Sequence, residues 1–244
     1  MAENSALETL LGATLPENAG ETTKEEASAM VAAAVDGGFD VNEDSVDLKY
    51  MGSVPVLAYA AHNGGVAMVQ ALLEAGAKNE TFSYGRFERG SALRFAAMRG
   101  RTEVCSLLLG VEWGEDVNED RALNKAFASA AEYGHNETVA AFLDSGKVSA
   151  ESGNACALRA AVENGSVDIA LRLIPLLPAG IDFSDGDYTV LRFAAGRDDP
   201  KVLQALLDYV KDDPLPADIR RSAVSNDATA ALSVLDSDPR TQEA

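Results

Sequence analysis

The sequence predicts an all-α solenoid of stacked helix-turn-helix units. Three observations predict it. Hydrophobic residues make up 47% of the 244 residues with only 6% aromatics, and this alanine-rich balance suits closely packed helices better than strands, which favour Val, Ile, Thr and Tyr. One short pattern recurs along the chain at near-constant spacing. Each recurrence is followed by a second amphipathic segment of helical period.

The recurring segments are PVLAYAAHNG from Pro55, SALRFAAMRG from Ser91, KAFASAAEYG from Lys125, CALRAAVENG from Cys156 and TVLRFAAGRD from Thr189. Each carries a large apolar third residue (Leu57, Leu93, Phe127, Leu158, Leu191) and then a small pair (Ala60-Ala61, Ala96-Ala97, Ala130-Ala131, Ala161-Val162, Ala194-Ala195). The third position and the pair share one helical face, and alanine there lets the next repeat approach closely. Gly64, Gly100, Gly134, Gly165 and Asp198 close the units, separated by 36, 34, 31 and 33 residues on subtraction. A closing glycine can take the left-handed conformation that ends a helix and turns the chain back. The second segments, MVQALLEAG, EVCSLLLG, TVAAFLDSG, IALRLIPLL and VLQALLDYV, carry paired apolar residues such as Leu72-Leu73 and Leu206-Leu207 that pack beneath the first helices. Neither helix of a pair can bury its apolar face alone, so neighbours must stack. Pro175 and Pro178 fall in the fourth second segment and predict a shortened helix there.

These residues resemble the ankyrin repeat, whose pattern runs TPLH, AA, G, LL, GADVN. The best single unit is Ala60 to Asn79, and GGFDVN at Gly37 to Asn42 repeats its closing phrase. The helix over Lys24 to Val35 then looks like the outer helix of an N-terminal capping repeat, with Ser5 to Ala13 as its inner helix. DIRRSAVSNDATAALSVLD places Ala223-Val224 and Asp227 in register as a truncated final cap. The resemblance implies one ankyrin-repeat domain over 1–244: a capping repeat at 1–50, about five internal repeats at 51–215, and a cap with a short tail at 216–244. It also implies protruding loops or hairpins between repeats. The TPLH tetrapeptide is nowhere intact, its histidine position holding Ala58, Arg94, Ala128, Arg159 and Arg192.

Thirty-nine acids against twenty bases leave a net charge of −19, which makes nucleic acid or an anionic membrane a poor partner. No stretch approaches the roughly 20 apolar residues that span a bilayer. The N-terminal sequence is neither a signal nor a transit peptide, and Cys105 and Cys156 read as small buried side chains in a reducing compartment. The expected location is cytoplasmic, or nuclear without a visible basic import signal. His62 and His135 stand alone at interhelical turns, no nucleophile motif or zinc spacing is present, and the glycines are not in a phosphate-binding order. The acidic run GEDVNED from Gly114 lacks the glycine and distal glutamate of an EF-hand loop. No catalytic residue, cofactor or metal is therefore expected, and the chain is not expected to be an enzyme.

What remains is surface, which in the ankyrin family binds other proteins through the loops and the exposed face of the first helices. Segments Asp36 to Tyr50 and Gly110 to Arg121 each hold five acids and one base, and Asp182 to Tyr188 three acids. The finger KNETFSYGRFERG, from Lys78, instead combines Phe82, Tyr84 and Phe87 with Arg86 and Arg89, the residue types enriched at interface hot spots. Trp113 joins them. The pairs before each closing residue are expected on the concave side: His62-Asn63, Met98 and Arg99, Glu132 and Tyr133, Glu163 and Asn164, and Gly196 with Arg197. The expected function is a monomeric protein-binding module whose partner has a basic surface. Alternatives of the same surface are a chaperone or assembly factor for a basic protein, and an effector or inhibitor that occupies a host enzyme.

Overall fold

The computed structural model describes residues 10, 12, 22–48, 52–84, 88–148, 152–178, 189–210, 215 and 218–241. The fold is all-α, built from helix-turn-helix pairs, with two small antiparallel hairpins among the described residues. Two compact units make up the chain, Met1–Ala130 with Glu137–Val148, and Ala131–Asn136 with Ser149–Ala244.

The first unit opens with α1 (Lys24–Asp36), started by a capping box in which Thr23 and Glu26 each accept from the other's backbone N–H. This arrangement satisfies amides that a helix start otherwise leaves unpaired. Hairpin β1 (Ser45–Leu48) and β2 (Gly52–Pro55) follows, with Val46 opposite Val54. Then come α2 (Val56–Asn63) and α3 (Val66–Glu74), hairpin β3 (Thr81–Tyr84) and β4 (Glu88–Ser91), α4 (Ala92–Met98) and α5 (Thr102–Leu109). Phe82 faces Gly90 across the second hairpin, and its Thr-Phe-Ser-Tyr strand is of residues that favour extended backbone. Ser91 ends the strand and caps α4, its Oγ accepting from Arg94 N–H at 3.1 Å. After a loop come α6 (Glu119–Glu132) and α7 (Asn136–Asp144). First helices pack on first helices, α2 against α4, and second helices on second helices, α1 against α3 and α3 against α5. The small pairs Ala60-Ala61 and Ala96-Ala97 are fully buried between them.

In the second unit α8 (Ser152–Asn164) and α9 (Val167–Leu173) are followed by a 3-10 turn, Ile174–Leu176. Pro175 stands in that turn, and α9 is as short as proline requires. Helices α10 (Thr189–Gly196), α11 (Pro200–Tyr209), α12 (Asp218–Ser225) and α13 (Thr229–Ser237) complete the stack, with α8 on α10, α10 on α12 and α11 on α13. Arg240 donates to the carbonyls of Val210 at 2.6 Å and Leu207 at 3.1 Å, at the C-terminal end of α11. Its guanidinium also holds the Asp238 carboxyl below its usual range.

All five closing residues have positive φ: Gly64, Gly100, Gly134 and Gly165 between 64° and 92°, and Asp198 at 58°. Asp227 follows at 54°. Arginines at the TPLH histidine position reach into the following repeat at two places. Arg94 Nε donates to Ser129 Oγ at 3.2 Å, and Arg192 Nη1 to Asp218 at 2.9 Å. One expectation is corrected: Cys105 is buried, but Cys156 is exposed on α8, one residue before the buried stripe Ala157-Leu158. The inner helix expected over Ser5 to Ala13 and the acidic loop at 182–188 lie outside the described residues, apart from positions 10 and 12.

Candidate functional site

The second hairpin and the loop from Gly110 to Asn118 flank the helix pair α4 and α5, and most of the expected binding residues of the first unit sit here. Phe82 does not stand free on the finger. It is half-buried, its ring tilted against Phe95 at 5.4 Å between centroids. Phe95 is wholly buried and also meets His62 edge-on at 6.0 Å. Burial pushes the His62 pKa below its ordinary value, with Arg99 and Arg101 adding to the drop and an Asn63 hydrogen bond opposing it. Tyr84 and Arg89 occupy hairpin strands, Tyr84 opposite Glu88 and Arg89 opposite Ser83; their side chains, with Arg86 and Phe87 entirely, lie outside the described residues.

On the helix ends, Met98 is half-buried and Arg99 exposed. Asn63 is not on the exposed face; it is 6% exposed, turned inward beside His62. Glu132 is half-buried, and Tyr133 is 52% exposed with its ring stacked over His135 at 6.5 Å. Asn164 is exposed and donates back to Ala160 O at 3.1 Å. Glu163 and Arg197 are brought together, Arg197 Nη1 donating to the Glu163 carbonyl at 2.8 Å. The same guanidinium lies where a Cβ on Gly165 would stand, 2.4 Å from it. In the first unit Arg101 repeats the device, donating to His62 O at 3.3 Å across Gly64. Two of the glycines therefore serve both the turn and the passage of an arginine.

The loop from Gly110 and the first turn of α6 place five carboxylates in solvent: Glu112, Glu115 and Asp116 on the loop and Glu119 and Asp120 on the helix are all exposed. It is tied to the finger's base by Gly114 N–H donating to Asn79 O at 3.2 Å, and the Glu80 carboxylate lies against Gly114. Between the two segments runs an open groove of about 680 Å³, lined by Asn79, Glu80, Glu112, Trp113, Glu115 and Asp116 among others. A smaller cavity of about 120 Å³ is lined by Arg94, Arg121 and Lys125 with Thr81, Ser91 and Asp116. Among the described residues no three His, Cys, Asp or Glu side chains are placed to hold a metal ion, and no helix is long and apolar enough to cross a membrane.

Sequence reasoning missed Asn79. The signal that finds it is the register of the closing phrases. Gly38 and Gly76 both have left-handed φ, at 98° and 94°, and the next residue in each donates back to the helix, Phe39 to Ala34 O and Ala77 to Leu72 O, both at 2.9 Å. Counted from those glycines, Asn79 stands where the first phrase has Val41, and Glu80 where it has Asn42. Asn42 grips the next repeat, Nδ2 donating to Gly76 O at 3.2 Å and Oδ1 accepting from Lys78 N–H at 2.9 Å. Asn79 is 2% exposed, and neither its Oδ1 nor its Nδ2 has a hydrogen-bond partner.

The comparisons with known proteins agree with this architecture. The family model described as "Ankyrin repeats (3 copies)" matches residues 57–152 and, overlapping, 93–187. The human ASB11 ankyrin repeat domain is similar in structure with a TM-score of 0.63 at 21% identity, over 92% of this chain and 96% of that one. The ankyrin repeat domain of Bcl-3, a member of the IkappaB protein family, is similar with a TM-score of 0.56 at 19% identity, over 83% of this chain and 84% of that one. No curated protein matches. With a family model covering more than half of its length, the chain belongs to the ankyrin-repeat family.

Proposed function

We propose that the chain is a non-enzymatic, monomeric protein-binding module that recruits a partner with a basic surface through its finger, its acidic loop and the ends of its first helices. Ankyrin-repeat domains generally mediate protein–protein interaction and are generally not enzymes. The observation that carries the finer reading is the run from Gly110 into the first turn of α6, whose five carboxylates all face solvent beside a finger base that adds Glu80. Clustered surface charge of one sign raises the encounter rate with an oppositely charged partner and penalises like-charged ones. A net charge of −19 extends that bias over the whole chain and disfavours nucleic acid. A chaperone for a basic protein is one form this activity takes.

The test is retention of partners from source-cell lysate by the intact chain beside Glu112→Gln/Glu115→Gln/Asp116→Asn, washed at low and high salt. These side chains are exposed, so the variant keeps the fold. Partners held at low salt, released at high salt and absent from the variant support the reading. Retention that ignores both salt and the substitutions rules out charge as the recruiting force.

A further inference from the structure

On a chain with a net charge of −19, three bases converge on one small cavity. Arg94 comes to it from α4, and Arg121 and Lys125 from α6; Asp116 is the single acid among the described lining residues. Arg121 and Lys125 stand four residues apart on one face of α6, a spacing at which like charges weaken a helix, and Arg94 adds a third cation from the preceding first helix. Charges of one sign gathered in this way repel one another, and an anion seated among them removes that cost. The cavity is also built in advance. Arg94 Nε donates to Ser129 Oγ at 3.2 Å and its backbone N–H to Ser91 Oγ at 3.1 Å, so the guanidinium is held before any ligand arrives. Asn118 Oδ1 accepts from Arg121 N–H at 2.9 Å, so the start of α6 already has a cap and the pull on an anion is that of side chains.

We propose that this cavity receives the carboxylate of an Asp or Glu side chain of the partner protein, carried within a segment otherwise rich in bases. The volume of about 120 Å³ is well below the roughly 300 Å³ at which small-molecule sites begin, so it suits one functional group rather than a free metabolite. Guanidinium groups present paired N–H donors that match a carboxylate's two oxygens. A phosphate ester is the poorer fit, because its second negative charge meets Asp116 in the wall and the exposed Glu119 and Asp120 in the first turn of α6. Thr81 and Asp116 line both this cavity and the open acidic groove, so a segment whose acid enters the cavity lays its flanking bases beside Glu80, Glu112 and Glu115. One acid among bases thereby sets the register, and a uniformly basic segment leaves the three cations unmatched. This rests on the protein-binding reading above and adds to it the charge pattern that is recognised.

The ¹⁵N-labelled full-length chain is titrated at low ionic strength with the blocked peptide acetyl-Gly-Lys-Lys-Glu-Lys-Lys-Gly-amide, with its glutamine and phosphoserine counterparts, and with inorganic phosphate alone. Amide shifts of Thr81, Gly90, Arg94, Arg121 and Lys125 report on the cavity. The expected result is saturable shifts with the glutamate peptide, an affinity about tenfold weaker for glutamine as its charge-assisted bonds are lost, phosphoserine no tighter than glutamate, and no displacement by phosphate at equal concentration. In Arg121→Gln, at an exposed position, and in Lys125→Gln, the preference for glutamate over glutamine is expected to fall to about twofold or less. The two affinities are compared within one variant, so a change in its stability cancels. Equal affinity for the glutamate and glutamine peptides, tighter binding of phosphoserine, displacement by phosphate, or a full preference for glutamate in either variant would each overturn the proposal. Equal binding of the two peptides sinks the cavity alone and leaves a basic partner standing, whereas silence of both sinks the basic partner as well.

Discussion

Replacing Asp198 and Asp227 in turn by glycine separates two effects that the closing aspartates combine. Both have left-handed backbone, φ 58° and 54°, a conformation that costs a residue bearing a Cβ roughly 1 kcal/mol, less for Asp than for most. Glycine removes that strain but adds freedom to the unfolded chain, so the net gain from the backbone alone is about 0.5 kcal/mol. At Asp227, an exposed turn residue, this gain is the whole expected effect. Asp198 has a second task. Its Oδ1 accepts from Ala231 N–H at 2.8 Å, in the first turn of α13, so a carboxylate from one repeat caps a helix of the next. A part-buried hydrogen bond to a charged acceptor contributes about 1.5–3 kcal/mol, and a carboxylate at a helix N-terminus adds to it. Asp198→Gly therefore loses roughly 1–2.5 kcal/mol net, while Asp227→Gly gains about 0.5 kcal/mol. Urea denaturation followed by circular dichroism at matched protein concentration reads both. The signs carry the argument: equal stabilisation by the two substitutions would show that the Asp198 cap contributes nothing.

The two thiols should separate cleanly. Burial pushes the Cys105 pKa up to about 12, while Cys156 is exposed, so an aromatic disulfide reagent should titrate one thiol in the native chain and two after denaturation. Two fast native thiols would contradict the burial of α5. His62 should make stability fall with acid. Its pKa is lowered in the folded chain, so its contribution is fully present above the unfolded value near 6.5, starts to be lost as pH falls below it and is gone once pH has passed the lower folded value, because in between the unfolded state binds the extra proton. The midpoint difference between wild type and His62→Gln, followed from about pH 7.5 to pH 5.5, should narrow if that linkage holds. Finally, Phe95→Ala should cost about 3–5 kcal/mol as a fully buried ring, and a double-mutant cycle with Phe82→Ala should return a coupling of about 0.5–1.5 kcal/mol for the tilted pair. A coupling near zero would place Phe82 on the finger's surface after all.

The repeat was legible in the chain because it is a local matter. The small pairs, the closing residues and the second amphipathic segments each follow from helical geometry over a few residues, and all of them appear where the pattern puts them, including the left-handed Asp198 in a glycine's place. The shortening of α9 followed from Pro175 for the same reason. Cys156 was misplaced because the boundary of an apolar stripe is fixed by what packs against it. Phe82 could be placed on the finger but not turned, since its partner Phe95 lies across the hairpin in the next helix.

The candidate groove shows the same division. Its acids and Trp113 are plain in the sequence as a charged loop, but nothing local says that Gly114 hydrogen-bonds to Asn79 and so sets that loop against the finger's base. Asn79 itself reads as part of a closing phrase; only burial on both sides, and the count from a left-handed Gly76, reveals a polar group in a valine's slot. The sequence by itself determined the family, the helix-turn-helix pattern and the sign of the net charge, because these depend on period, conformational preference and composition. Tertiary structure alone decided which polar groups are satisfied, since hydrogen bonding and desolvation depend on neighbours some 30 to 40 residues away, as Asn42 with Lys78 and Asp198 with Ala231 both show.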